Sequence, residues 1–490
     1  MPQYTRWPVK PPARANRRGT TASTKWWSLN IGQSRITRPP GHPARGDYAG
    51  QAMSGRLAEP QGPRYTGPQA VRWQPALGRN RFSAPLLVFF KEKAAMRSLV
   101  FCSLMVSLAA PLAAAQPAPR YKTLCLTDKF YCEGAYYGDF NKDGKLDVVS
   151  GPFWYEGPDF QRKHEIRPPQ AFDPKDYSDN FLTYTGDFNG DGWTDVLYVP
   201  WPGKDASWYE NPADKEGHWK AHFALKDVGN ESPLWTDIDG DGRPDLLYNI
   251  TGYLGYATYD PAKPDAPWTF HPITPKGNYQ RYTHGIGCGD INGDGRVDIV
   301  ESSCWWEQPA NREATPWPKH PYQFAEAGAQ ILVYDVNGDG RNDVVTAWHC
   351  HQYGLVWHEQ IRTTEGQIAF RQHEILSPKP DLKSKAFRVS QLHALDLADM
   401  NGDGLLDVVT GKRFWAHGPK GDAEPDAPAL LLWFELRRTA GKVQFVPHVI
   451  HDNSGVGTQV TAVDLNGDRL PDVIVGNKKG TFVHLSQSLP

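Results

Sequence analysis

A nine-residue acidic loop recurs through this chain, and nothing else in the sequence restricts its fold as tightly. Asp290-Ile-Asn-Gly-Asp-Gly-Arg-Val-Asp298 gathers four oxygen-bearing side chains, Asp290, Asn292, Asp294 and Asp298, around Gly295. Oxygens at alternate positions of a tight turn suit a hard cation of the calcium type, and glycine supplies the positive φ that such a turn needs. The same quartet returns as Asp139, Asn141, Asp143 and Asp147; as Asp187, Asn189, Asp191 and Asp195; and as Asp237, Asp239, Asp241 and Asp245. It returns again as Asp335, Asn337, Asp339 and Asp343; as Asp399, Asn401, Asp403 and Asp407; and as Asp464, Asn466, Asp468 and Asp472. Successive copies begin 48, 50, 53, 45, 64 and 65 residues apart, and each runs into an apolar, strand-like stretch. A repeat of this period means a propeller, a solenoid or an array.

The fourth copy shows what one repeat contains. His284-Gly-Ile-Gly-Cys-Gly289 enters the loop and is small enough to crowd an axis; Asp298–Ser302 is a second strand and Cys304-Trp-Trp-Glu307 a third. Phe153-Trp-Tyr-Glu156, Ser207-Trp-Tyr-Glu210, Val356-Trp-His-Glu359 and Leu432-Trp-Phe-Glu435 match that third strand. Fourth-strand candidates follow, such as Lys163-His-Glu-Ile166 and Pro447-His-Val-Ile450. Four short strands per repeat, with helix signals nearly absent, make a propeller blade. The last repeat stops after Gly480–Leu485 without an outer strand, while Arg120–Cys125 precedes the first repeat with no blade of its own. The expectation is that this N-terminal strand completes the last blade and covers its edge.

The Asp-x-Asn/Asp-x-Asp-Gly-x-x-Asp loops, each followed by an apolar pair, resemble FG-GAP/VCBS repeats, the blades of integrin-α-like propellers. The resemblance covers about residues 120–490 and implies an all-β, seven-bladed β-propeller of four-stranded blades with calcium in up to seven loops. The seventh loop departs from the pattern, with Arg469 where the others have glycine, which puts its ion in doubt. Activity does not follow, because such a fold serves adhesion, lectin-like binding and lyases alike.

Outside the repeats the composition changes abruptly. Residues 1–95 hold 16 Lys and Arg against 3 Asp and Glu and show no sustained period, so they read as disordered or as a misassigned gene start. Residues 96–115, from Met96-Arg97 through the apolar run Leu99–Leu112 to Ala113-Ala-Ala115, read as a secretory signal peptide. The rival reading is a cytoplasmic tail with Leu99–Ala115 as an anchor, for which the run is short. The expected product is secreted, periplasmic or on the cell surface, with no transmembrane anchor after cleavage. Residues 116–490 then carry 36 Lys and Arg against 52 Asp and Glu, which disfavours nucleic acid as a partner. An oxidising compartment would allow disulfides, with Cys125–Cys132 and Cys288–Cys304 as candidates.

In a four-stranded blade the acidic loops join the first strand to the second, so strand entries and second-to-third connections lie on the opposite face. Glu133, Glu231, His284, Gln330, His393 and Gln459 stand at strand entries; His349, His351, Lys412, Arg413 and His417 stand on the other connections. Ring closure would bring them into one funnel, the raw material of acid–base chemistry, metal binding or sugar recognition. The Trp-aromatic-Glu strands read as blade packing, with Trp201 and Trp317 as the more exposed aromatics.

Two readings of function follow. One is a calcium-stabilised propeller that binds a glycan or extracellular protein through the funnel, with Glu133, Glu231, Gln330, Lys412, His417 and Gln459 as ligand contacts. The other is a carbohydrate-active enzyme, a polysaccharide lyase or sugar dehydratase. In it Arg413 or Lys412 neutralises a uronate while His284, His349, His351 or His393 takes the proton or holds a metal.

Overall fold

In a computed structural model of the chain, residues 118–487 apart from 214 and 440 are described. The basic stretch 1–95 and the signal-peptide reading of 96–115 lie outside the described residues. Among the described residues the protein is all-β, with no helix and so none long and apolar enough to cross a membrane.

The strands run as successive four-stranded antiparallel meanders. In the first, β2 (Ala135–Gly138), β3 (Asp147–Ser150), β4 (Phe153–Tyr155) and β5 (Lys163–Glu165) pair in that order. Next come β6 (Leu182–Gly186), β7 (Asp195–Val199) and β8 (Lys204–Glu210), closed by the first half of the long β9 (Lys220–Thr236). The second half of β9 starts the following unit, with β10 (Asp245–Ile250), β11 (Tyr253–Thr258) and β12 (Thr269–Pro272). Then follow β13 (Ile286–Gly289) to β16 (Lys319–Pro321), β17 (Gln330–Tyr334) to β20 (Ile368–Leu376), and β21 (Leu392–Ala398) to β24 (Lys442–His451). The last group is β25 (Thr461–Val463), β26 (Asp472–Asn477) and β27 (Gly480–Gln487), and its fourth strand is β1 (Arg120–Thr127). Arg120 pairs with Gln487 and Cys125 with Phe482 in antiparallel register. First and last groups also share a core, in which Val148 and Phe153 pack with Ile474 and Val483.

Small residues let the innermost strands approach one another. β13 pairs in parallel with β17 through Ile286–Gln330 and Gly287–Ile331. A Cβ at Gly287 would collide with the Ile331 carbonyl, so only glycine fits there.

The Trp-x-Glu strands are core, and they carry a device not legible in the third strand alone. Trp154, Trp208, Trp305, Trp357 and Trp433 each stack on a histidine of the next strand, His164, His222, His320, His373 and His448. Centroids lie 4.0–4.4 Å apart and planes within 20°. The Glu two residues after each Trp takes that histidine's Nε2 at 2.7–2.9 Å. Trp317 corrects the sequence expectation: it is 2% exposed, in the core of the neighbouring units.

The acidic loops divide their residues between two jobs. The first Asp bonds the turn's own amides: Asp187 Oδ1 accepts from Gly190 and Asp191, and Oδ2 from Gly192 at 2.8 Å. The last Asp of every loop is buried instead. Its Oδ2 accepts the amide of the residue after the loop's first Asp (Phe140, Phe188, Ile238, Ile291, Val336, Met400, Leu465) at 2.9–3.0 Å. In six loops Oδ1 accepts a second amide from the end of the third strand, as from Asn211 for Asp195. Asp147, Asp195, Asp298, Asp343, Asp407 and Asp472 are thus strand-to-strand clips, a role their place in a cation motif hides.

Neither candidate disulfide forms, and all five described cysteines are free. Cys288 on β13 pairs with Ile299, while Cys304 pairs with Glu301, so strand β14 (Asp298–Glu301) stands between the two thiols. Cys132 bonds Ser150 Oγ at 3.0 Å, whereas Cys125 is exposed on β1.

Candidate functional site

Strand entries and second-to-third connections from several units meet at one end of the axis, as the repeat arithmetic requires. Arg413 follows β22 (Asp407–Lys412) and is fully buried. Its Nε donates to Glu133 Oε2 at 2.9 Å, its Nη2 to the same oxygen, and its Nη1 to Glu231 Oε2 at 3.1 Å. Burial opposes charge here, but each ion compensates its neighbour. Burial pushes the Glu231 carboxyl up, yet His284, His393 and Arg413 outweigh it and hold it well below the usual carboxylate range. This overturns the expectation that Arg413 meets a uronate, because two protein carboxylates already occupy the guanidinium.

Beside the trio stands a histidine cluster. His284 precedes β13, His393 lies in β21, and His351 follows β18 (Asp343–Ala347). His284 Nδ1 donates to the Tyr282 carbonyl at 2.8 Å, which turns Nε2 toward His351 Nε2 at 3.1 Å and Glu231 Oε1 at 3.6 Å. His393 Nε2 faces Arg413 Nη1 at 3.0 Å and Glu231 Oε2 at 3.3 Å, and its Nδ1 is buried without a partner. The imidazole centroids of His284, His351 and His393 lie 5.0–5.7 Å from one another.

The member that sequence reasoning missed is Cys350, fully buried between His349 and His351. It belongs to neither disulfide candidate, and its place inside the His349-Cys350-His351 run was a usable signal. Burial alone would push its thiol up; the imidazoles of His393 and His284 outweigh that and hold it well below the ordinary value. Conversely, burial pulls His284 down, but Cys350 and Glu231 overcome it and raise it well above the usual imidazole. Asp422 was also missed. It lies in the long connection after β22, takes His417 Nδ1 at 2.9 Å and stands 3.6 Å from His351 Nδ1.

The remaining candidates do different work. His349 keeps out of the cluster, and its Nδ1 accepts the His351 amide at 3.2 Å, fixing the turn. Gln330 and Gln459 brace the axis rather than face a ligand: Gln330 bridges Thr458 O and the Leu395 amide, while Gln459 bridges both backbone groups of Thr183. Lys412 is buried, with Nζ on Ser390 Oγ and the Glu424 carbonyl, and burial lowers it to about 8. Lys478 is likewise lowered to about 8 by burial; its Nζ bonds the Trp415 carbonyl and lies 4.6 Å over the Tyr177 ring.

Aromatic rings line this mouth. Tyr177 meets Trp201 edge-on at 4.1 Å, Trp201 meets Tyr282 at 6.1 Å, and Tyr177 reaches His417 at 6.5 Å. Tyr282 is 44% exposed. An arc of partly exposed rings beside acid, base and amide groups is the surface chemistry that sugar faces and hydroxyls recognise.

Comparison with known proteins finds repeats of a known family in part of the chain. An FG-GAP-like repeat family model matches residues 187–248 and 399–475, stretches that contain four of the acidic loops. No curated protein matches the chain. Among solved structures, the chain is similar to an Agrocybe aegerita lectin described by its specific recognition of non-reducing terminal N-acetylglucosamine. Identity is 16%, covering 75% of this chain and 85% of that one, at a TM-score of 0.39. It is also similar to the rhamnogalacturonan lyase YesW, at 13% identity over 77% of this chain and 75% of that one, with a TM-score of 0.40.

Proposed function

We propose that this FG-GAP-repeat chain is an exported, calcium-stabilised, seven-bladed β-propeller that binds a glycan at the funnel mouth opposite its acidic loops. The observation that carries the reading is the convergence of Tyr177, Trp201 and Tyr282 on the mouth that holds His284, His417 and Asp422. Support for the ring comes from the strand pairing, in which β1 fills the empty place beside β27.

Calcium in the loops is supported by the donor chemistry. Each loop offers only carboxylate and amide oxygens at alternate positions, the set a hard cation takes. In the third loop, ligand atoms of Asp237, Asp239 and Asp245 already lie within 4.8 Å of one another. Calcium bound there would tie each turn together and screen its like charges. Export rests on the signal-peptide reading of residues 96–115.

The test is a glycan array probed with calcium-loaded chain, alongside Trp201→Ala and Tyr282→Ala. Binding to a defined set of glycans, reduced in both variants, is expected. A folded, calcium-loaded chain that binds nothing across the array sinks the reading.

A second reading, catalysis on carbohydrate, is favoured by one observation. The His284 and His351 nitrogens lie 3.1 Å apart beside Glu231, an arrangement able to hold and move a proton. Incubation with neutral and uronate polysaccharides, followed by absorbance for unsaturated products, decides it; no product across the panel removes lyase chemistry.

A further inference from the structure

We propose that His284, Cys350, His351 and His393 bind one first-row divalent transition metal ion, of which zinc is the best match, at the axial end of the funnel. One ligand atom from each residue lies within 4.8 Å of the others. A tetrahedral site with Zn–N of about 2.0–2.1 Å and Zn–S of about 2.3 Å needs its donors roughly 3.3–3.6 Å apart. The His284 and His351 nitrogens, at 3.1 Å, already stand near that spacing. The others, within 4.8 Å, have to draw inward by at most about an ångström to reach that spacing.

The lone pairs are set up for it. Tyr282 O holds the proton of His284 on Nδ1 and leaves Nε2 free. His393 Nε2 lies 3.0 Å from Arg413 Nη1, which can only donate, and 3.3 Å from Glu231 Oε2, while its Nδ1 is buried and partnerless; with its proton turned from Nδ1 to Nε2 and onto Glu231, the ring presents Nδ1 to the ion. Asp422 Oδ1 lies 3.6 Å from the buried and partnerless Nδ1 of His351, a gap that a small in-plane movement of the ring closes. Each imidazole thus has a carbonyl or carboxylate behind it, the outer arrangement that orients metal-bound histidines. Without an ion the same pocket leaves His393 Nδ1 buried and unsatisfied, which folded proteins avoid.

The donor set also selects the metal. A thiolate with three imidazoles suits zinc and its first-row neighbours and not calcium or magnesium, which take oxygen. The acidic loops and this pocket therefore do not compete for one ion. Binding displaces to solvent the proton that Cys350 and His284 share, and the thiolate, Glu231 and Glu133 compensate the ion and Arg413. The site does not depend on the glycan reading, since it would exist whatever occupies the mouth.

The test uses the full chain, stripped with chelator, saturated with calcium, then titrated with Zn(II) or Co(II) alone. Expected are one tightly held ion per chain and, with Co(II), a near-ultraviolet thiolate-to-cobalt charge-transfer band. Cys350→Ser should abolish the band, and both Cys350→Ser and His393→Gln should weaken retention by more than about 100-fold. His417→Gln should leave both unchanged. Absence of retained metal, a cobalt complex without the thiolate band, or loss of binding in His417→Gln but not in Cys350→Ser would each overturn the assignment. The last outcome would move the ion to the adjacent group of His351, His417 and Asp422. Should Cys350→Ser misfold, the wild-type cobalt spectrum alone still decides whether sulfur is a ligand.

Discussion

Arg413 and Glu133 are 280 residues apart in the chain, and their Nε and Oε2 atoms are 2.9 Å apart in space. The pair spans units from opposite ends of the sequence, and Glu231 closes it from a third. All three side chains are buried, so removing the cation strands two carboxylates in a low dielectric. Arg413→Met should cost about 3–5 kcal/mol in urea unfolding. Adding Glu133→Gln and Glu231→Gln should return much of that loss. A single variant as stable as the wild type would show that the trio contributes nothing.

The stacked Trp–His–Glu sets make a second expectation. Trp208 and His222 lie parallel at 4.0 Å, and Glu210 fixes the outer nitrogen of the ring. His222→Ala uncovers a fully buried indole and should cost about 2–3 kcal/mol. Glu210→Gln keeps a hydrogen-bonding group in place and should cost less than 1 kcal/mol or so. Equal losses in the two variants would mean that the hydrogen bond, and not the stack, carries the effect.

Arg469 sits at φ +74°, where the other loops place glycine at +80° to +87°. A left-handed backbone costs a non-glycine residue about 1–2 kcal/mol. Arg469→Gly should therefore stabilise the chain by about 1 kcal/mol, allowing for the greater freedom of glycine when unfolded. A lower melting temperature would contradict this.

Acid should weaken the fold through two buried imidazoles. Burial, with His451 nearby, lowers His484 from 6.5 to about 3, and burial lowers His358 to about 4. The unfolded chain gains a proton near pH 6.5 that the folded chain refuses until much lower pH. Their contribution is therefore intact above pH 6.5 and lost as pH falls below it, by about 2 kcal/mol per ring at pH 5. His484→Gln should flatten the fall in unfolding free energy between pH 7 and pH 5. An equally steep profile would exclude His484 as its source.

Calcium removal tests the loops. With EGTA in excess, the melting temperature should drop by several degrees and recover when calcium is restored. An unchanged curve would mean that the loop amides, which already bond the first Asp of each turn, hold it unaided.

The periodic part of the molecule was legible because one residue at each strand end repeats with the blade. Asp290 marks a first-to-second turn, and Glu133, Glu231, His284 and His393 could be placed at the far end of the same strands by counting. Counting fails where a side chain answers to a neighbour from another unit. Nothing near Arg413 in sequence announces that Glu133 and Glu231 will neutralise it. Gln330 and Gln459 look like mouth residues by position, yet turn inward because innermost strands need lateral hydrogen bonds. Cys350 is not legible as a site member because only the packing brings His284, His351 and His393, from three separate units, to one place around it. The final Asp of each loop was read with its motif, although the amides it holds belong to other strands.

The pairing of β1 with β27 has a consequence for biosynthesis. The first described strand must wait, without its β27 partner, until the last described one has been made. Contacts of such long sequence separation form late and slowly. A chain interrupted anywhere before Gly480 leaves β1 without its partner strand and leaves Val148 and Phe153 of the first unit without the Val483 contact that covers them. Closing the sheet between the first and last described strands thus depends on the whole repeat array being present.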